Sequence, residues 1–573
     1  MLQTLTTPRG ETLSGTPWQV YPRPQMRRDS YINLNGEWDF AVSREEPETF
    51  DMRILVPFCP ESRLSGIGRH FEEGAPLWYR RRFLLPEGFR RERVLLHIGA
   101  ADQIAEVFVN GQHLCRHEGG YASFCVDITE ALAEENELVI RCTDDLHDQA
   151  FPYGKQVMNR GGMWYTPVSG IWQTVWLESV PGTYIENLNI VNHGASVTIS
   201  TVPPLEGTVS VEPLGQFPLE NGQVTIAPEN PHFWCPDDPY LYHFTLETAQ
   251  DKVESYFAIR SLEIKKVGEY PRLCLNGKPY FFHGLLDQGY WPEGLLTAPA
   301  PESYADDILA MKRLGFNTLR KHIKVEPEEF YYQCDRLGMI VWQDMVNNGS
   351  YSYFRDTVLP TVGIQKRNDR CLHRDERSRN AFRQGAADAV NQLKNHPCIC
   401  YWTIFNEGWG QFDSDRVCGW FRTLDATRFI DTTSGWFRGK NTDVDSRHQY
   451  FGKLRLKGDG LRPLVLSEFG GKTWRVEEHI FNPDKTYGYG ACPTREALNE
   501  AVAALYRESI VPAVEKGLCA AIYTQVSDVE DEVNGLITYD RRVVKLDADT
   551  MLPISRALQD AMEKTVASFE KMG

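Results

Sequence analysis

The chain has 573 residues, 42% apolar and 24% charged, a size and balance that fit several soluble globular domains. Its net charge of −17 opposes nucleic acid and anionic membrane surfaces as partners, and no apolar run approaches membrane-spanning length. The 13 cysteines are scattered without a Cys-x-x-Cys pair, which predicts a reduced, cytoplasmic compartment and no cysteine-held metal.

The N-terminus, Met1-Leu-Gln-Thr-Leu-Thr-Thr-Pro-Arg-Gly10, has neither a basic nor an apolar signal region, so no signal peptide is expected. Residues 1–180 alternate short apolar runs with turns, as in Arg53–Phe58, Arg93–Ile98, Ala105–Val109, Leu138–Cys142 and Trp172–Leu177. Asn110-Gly111 directly after a strand is a hairpin signal, because both residues tolerate positive φ. The pattern predicts a β-sandwich or jelly roll. Residues 181–267 read as a second β unit, with strands at 197–200, 208–211 and 243–248 between glycines. Its length fits an immunoglobulin-like sandwich.

From 268 the pattern becomes strand then helix. Strands are expected at 280–286, 316–320, 339–342, 398–405, 429–432, around 448–450, 463–468 and 519–524, with helices at 304–314, 327–337, 377–393 and 498–514. Eight strands in βα units predict a TIM (β/α)8 barrel over 268–573. Cys398 to Phe405 is apolar throughout, as suits a strand covered on both faces, so Cys398 and Cys400 read as core thiols. The run ends in Asn406-Glu407-Gly408, and a second one, Pro463-Leu-Val-Leu-Ser, ends in Glu468-Phe-Gly-Gly471. One strand-end glutamate is most simply an ion-pair partner or helix cap. Two, each at the carboxyl end of a buried strand, are the equipment of glycoside hydrolysis, one to protonate the leaving oxygen and one to attack or activate water.

Trp402-Thr-Ile-Phe-Asn-Glu407 and Leu466-Ser-Glu468-Phe-Gly resemble the acid/base and nucleophile signatures of glycoside hydrolase family 2, which includes β-galactosidases, β-glucuronidases and β-mannosidases. Leu34–Phe40, His117–Tyr121 and Val168–Trp172 resemble its amino-terminal sugar-binding-type jelly roll, and Phe233-Trp234 with Pro239–Tyr242 its second domain. The resemblance implies a retaining exo-β-glycosidase with Glu468 as nucleophile and Glu407 as acid/base. It also implies Asn406 donating to the sugar 2-hydroxyl and Tyr450 bonding the nucleophile.

Arg320, ending the second strand, is the cation expected to hold Glu468 ionised, and Trp402 and Trp409 are the apolar neighbours expected to keep Glu407 protonated. His283, Asp287 and His322 lie at strand ends as candidate sugar ligands. The long insertions 346–375 and 470–495 read as rim or lid loops. Trp436, Trp474, Tyr351 and Tyr487 are expected to decide the aglycone. The family's usual motifs after the first two strands are replaced by Gly284-Leu-Leu-Asp-Gln-Gly289 and Lys321-His322-Ile323, which puts substrate identity in doubt.

The Asn-x-Lys pair that reads a glucuronide carboxylate is absent where it is sought. The eighth-strand loop reads Ser527-Asp-Val-Glu-Asp-Glu-Val-Asn534. Read as an uncompensated, solvated acidic run, it would repel a uronate and favours a neutral sugar, with β-galactoside first and β-glucuronide the runner-up. A non-catalytic carbohydrate-binding protein on the same scaffold is the reading from another class. It is disfavoured because Glu407, Glu468, Arg320 and Asn406 are all present. No cofactor and no metal are expected. The expected partner is a small-molecule glycoside or oligosaccharide, and a homo-oligomer is compatible.

Overall fold

The computed structural model describes residues 2–364, 368–452, 454 and 456–570. The N-terminal sandwich packs a four-stranded antiparallel sheet on a six-stranded one. Its core is built from inward residues of both sheets, among them Trp38, Phe40, Tyr79, Leu96, Val107 and Ile140. Asn110 and Gly111 take φ of 50° and 79° and turn strand Ile104–Val109 into strand Gln112–Glu118. The second sandwich has three strands on four, from Asn187–Asn192 to Lys252–Phe257, around its own apolar core.

The third unit is a parallel barrel. Its strands are β1 Phe282–Asp287, β2 Thr318–Lys321, β3 Ile340–Asp344, β4 Ile399–Asn406, β5 Phe429–Ser434, β6 Asp445–Gln449, β7 Leu464–Gly470 and β8 Leu518–Thr524. All eight residues of β4 and all seven of β7 are buried, as their apolar runs require. The hydrogen-bonded order is β5-β4-β3-β2-β1-β8-β7-β6, so every neighbour is paired except β5 with β6. Side chains span that seam: Ser434 on β5 lies 3.4 Å from Ser446 on β6 and donates to Ser467 on β7 at 3.0 Å.

The barrel departs from the full (β/α)8 pattern here. No helix follows β5 or β6 among the described residues.

Both sandwiches brace the barrel. Arg260 of the second donates to the carbonyls of Pro397 (2.6 Å) and Ile399 (2.7 Å) at the start of β4. Tyr153 of the first donates its hydroxyl to the Gly349 carbonyl (2.8 Å) in the loop after β3.

Gly470 closes β7 at φ +85°, and a Cβ there would overlap the Tyr523 ring. Gly470→Ala is therefore expected to destabilise the protein by about 1–3 kcal/mol, read as a lowered Tm. An unchanged Tm would show that the strand end has room to relax.

Candidate active site

Glu407 follows β4 and Glu468 lies on β7, and both reach the barrel mouth from buried strands (7% and 4% exposed). Glu407 holds φ of +50°, a left-handed conformation unfavourable for a non-glycine residue and common at functional positions. One carboxylate oxygen of each glutamate and a ring nitrogen of His448 lie within 4.8 Å of one another.

Arg320 organises the floor. From the end of β2 its guanidinium donates to Glu468 Oε1 (3.0 Å), the Ser467 carbonyl (3.1 Å), Asn406 Oδ1 (2.8 Å) and Asp344 Oδ1 (3.0 Å). With its Oδ1 thus occupied, Asn406 leaves a buried amide nitrogen without a partner, a donor available to a sugar hydroxyl. Tyr450 donates its hydroxyl to Glu468 Oε2 and stacks on Tyr489 at 3.9 Å.

His448 joins the two glutamates. Its Nδ1 is 2.8 Å from Glu407 Oε1 and 3.7 Å from Glu468 Oε2. Its Nε2 lies 3.3 Å from the Arg320 guanidinium and 3.0 Å from the Ser434 hydroxyl. The register of β6 against β7 shifts at Ser467, the extra residue on β7, and pairs His448 with Glu468. Such bulges re-aim side chains.

The two carboxyls differ in kind. Burial pushes both up. At Glu468 the neighbouring His448 and Arg320, with His322 and the Tyr450 hydroxyl, outweigh it and hold the group at about 2. At Glu407 burial wins over the His448 hydrogen bond, and the charge of Glu468 adds to it, so the proton is retained above the ordinary range.

The other sequence candidates divide. His322 is at the site, bonded through Nδ1 to Asp344 Oδ2 (2.8 Å) and 4.0 Å from Glu468, and burial lowers it to about 4, so it is neutral. Trp436 stands half-buried with its ring 6.3 Å from that of His448. Trp474 is half-buried in the loop after β7 and packs against the main apolar cluster, as does Tyr351, which also meets Trp409 edge-on at 5.5 Å. Tyr487 meets Tyr489 edge-on at 5.6 Å.

His283 is not at the mouth. It is the second residue of β1, fully buried, with Nδ1 against the Gly315 carbonyl (3.2 Å) and Nε2 against the Tyr506 hydroxyl (3.1 Å). Asp287 is held by Lys321 at 2.6 Å and caps the Gly289 amide, so its oxygens serve the scaffold. Trp402 also points away: its indole nitrogen donates to Asp425 (2.9 Å) and its ring meets Phe421 of the outer helix Ser414–Leu424. Burial is what raises Glu407.

The acidic loop after β8 is not a solvated charge run. Asp528, Glu530, Asp531 and Glu532 are all buried. Lys545 lies 2.7 Å from Asp528, Arg160 of the N-terminal sandwich is 3.0 Å from Asp531 and 3.4 Å from Glu530, and Tyr165 donates to Glu532. The repulsion that spoke against a uronate therefore has cations and donors against it.

Sequence reasoning missed Asp344 and His448. Asp344 ends β3 and was legible by the strand-end rule applied to the glutamates. His448 had no such signal, since its place depends on the register of β6 against β7.

Three family models match the chain: the family 2 glycosyl hydrolase TIM barrel domain over residues 266–453, the galactose-binding domain-like segment of glycosyl hydrolase 2 over 70–160, and glycosyl hydrolases family 2 over 184–260. The chain belongs to glycoside hydrolase family 2. The barrel match takes in Glu407 and stops before Glu468. A β-galactosidase of Thermoanaerobacter pseudethanolicus is 24% identical over 357 residues, which is 57% of this family 2 chain and 44% of that relative, so this chain spans less than half of its length. The β-glucuronidase of Pongo abelii is 26% identical over 557 residues, 79% of this chain and 80% of its own. The solved β-glucuronidase of an uncultured Clostridium sp. superposes with a TM-score of 0.71 at 19% identity, covering 95% of this chain and 100% of that one.

Glu468, depressed to about 2 from an ordinary 4.5, adds stability that is present above pH 4.5 and lost as pH falls toward 2. Arg320→Met leaves Glu468 and Asp344 buried without their cation. It is expected to cost about 3–5 kcal/mol at pH 7. Urea unfolding should show that deficit shrinking as pH is lowered to 4, where the carboxyls can protonate. A deficit independent of pH would mean the loss is one of packing alone.

Proposed function

We propose that the chain is a retaining exo-β-glycosidase that cleaves terminal non-reducing β-linked sugars by double displacement. The observation that carries this reading is the short gap between two unlike carboxyls, with oxygens within 4.8 Å. Retention needs carboxyl groups about 5–5.5 Å apart, whereas inversion leaves about 6.5–9.5 Å for a water.

Glu468, ionised, attacks the anomeric carbon and forms a glycosyl ester as the bond to the leaving oxygen breaks. Glu407 gives that oxygen its proton. Esterification removes the Glu468 charge, and with it the repulsion that helps keep Glu407 protonated. Glu407, left ionised by that proton transfer, is then stable as the base that takes a proton from the water that hydrolyses the ester. Asn406, its Oδ1 held by Arg320, offers its free amide hydrogens to the 2-hydroxyl, where a hydrogen bond strengthens as the oxocarbenium-like state forms.

Glu468→Gln should lower kcat on nitrophenyl β-glycosides by at least about 10³-fold. With wild-type enzyme, proton NMR should show the β-anomer as the first product. An α-anomer appearing first would refute the retaining route. Glu407→Ala should lose about 10²–10⁴-fold, and azide should partly restore turnover where the leaving group is good.

His448 sets both titrations. Its hydrogen bond lowers Glu407, and its proximity lowers Glu468. In His448→Ala both pKa values rise, so the acid and alkaline limbs of the kcat/KM profile are expected to move to higher pH together. A profile that only loses height would assign His448 no electrostatic part.

A further inference from the structure

Four lysines are buried among the described residues. Three have a carboxylate at close range: Lys321 with Asp287 at 2.6 Å, Lys324 with Glu326 at 2.8 Å, and Lys545 with Asp528 at 2.7 Å. Lys155, 6% exposed, has no ion pair within 4.0 Å among the described residues. Its ammonium instead faces two aromatic rings, Tyr165 at 5.6 Å and Trp409 at 5.7 Å. Trp409 is two residues past Glu407. The charge of Lys155 is felt at Glu407, at His322 and at Glu532, which belong to β4, β2 and the loop after β8. It therefore overhangs the mouth of the barrel from the side of the N-terminal sandwich.

The lysine is held there by its backbone. The Lys155 carbonyl accepts from the Tyr165 amide (3.0 Å), and the Tyr153 and Gly154 amides donate to the Asn347 carbonyl (3.1 and 3.4 Å). Gln156 is pinned by Asp102 (3.0 Å) and by the Val168 amide (2.6 Å). Gly154, at φ +66°, lies against the Ile323 carbonyl after β2, where a Cβ would be crowded. A buried ammonium with no carboxylate within ion-pair distance is costly, and cation–π contacts and the more distant Glu532 offset only part of that cost. An arriving anion would complete it.

We propose that Lys155 is the specificity-determining residue of this active site, pairing its ammonium with a carboxylate on the sugar ring held against Glu468, so that the substrate is a β-linked uronide. The recognition cation thus comes from the sandwich and not from the barrel. This rests on the glycosidase reading above. The acids of the β8 loop do not oppose it: Asp528, Glu530 and Asp531 are neutralised by Lys545 and Arg160, and Glu532 accepts from Tyr165.

The test is steady-state kinetics of the full chain, wild type, Lys155→Met and Lys155→Arg, on nitrophenyl β-glucuronide and β-galacturonide beside β-glucoside and β-galactoside. The wild type should prefer one uronide to its neutral counterpart. Lys155→Met should lose about 100-fold or more in kcat/KM on that uronide, chiefly in KM, and less than ~5-fold on the neutral sugar. Lys155→Arg should recover part of the loss. Thermal melting adds a readout apart from turnover: the free uronic acid should raise the Tm of the wild type and not of Lys155→Met. A neutral sugar preferred by the wild type, or equal losses on both sugars, would overturn the assignment and leave the glycosidase reading standing. Failure of folded wild type on all four substrates, with no Tm shift, would sink both.

Discussion

The Arg320 guanidinium is fully buried and bonds to Glu468, Asp344, Asn406 and the Ser467 carbonyl at once, so four strands of the barrel meet at one side chain. Burial works against the charge, yet the two carboxylates outweigh it and keep the group protonated. The same bonds fix Glu468 as an anion and leave the Asn406 amide hydrogens free. A lysine could not do this, because its ammonium lacks the planar set of donors that reaches several acceptors in fixed directions. Loss of this cation would strand two carboxylates in a low-dielectric floor, which is why the site tolerates it only as a complete set.

The unpaired seam between β5 and β6 has a consequence for chemistry. With no ladder to join them, the two strands are linked through Ser434, Ser446 and Ser467, and Ser434 also lies 3.0 Å from His448 Nε2. The bulge at Ser467 in β7 sets His448 opposite Glu468, and His448 touches one glutamate and nears the other. Its position lets the protonation state of one carboxyl be felt by its partner, as a two-step displacement requires.

The sandwiches take part in the site as well as bracing it. The segment from Phe151 to Thr166 places Tyr153 on the β3 loop, Arg160 against the acids after β8, Tyr165 on Glu532 and Trp164 on Trp409 at 5.1 Å. A barrel alone would leave those buried acids without their cation and the mouth without one wall. Glu468 puts negative charge at the mouth, the acids of the β8 loop lie beside it, and Arg320, Lys155 and Arg160 answer them from two domains.

The sequence by itself determined the strands and the two glutamates, because both depend on short-range patterns: all-apolar runs that can only be buried, each ended by an ionisable residue and glycine. It also determined the Asn110-Gly111 turn, which needs nothing beyond two residues that tolerate positive φ. Tertiary structure decided what those patterns cannot encode. His283 and Trp402 sit on strands of the barrel but face its outer layer, since the direction of a side chain depends on register and not on nearness to a strand end. The run Asp528 to Glu532 looks solvated until Arg160, more than 360 residues earlier, is folded against it. His448 joined the site through the register of β6 against β7, and Lys155 only through a loop of another domain. Both are long-range facts, and no local pattern carries them.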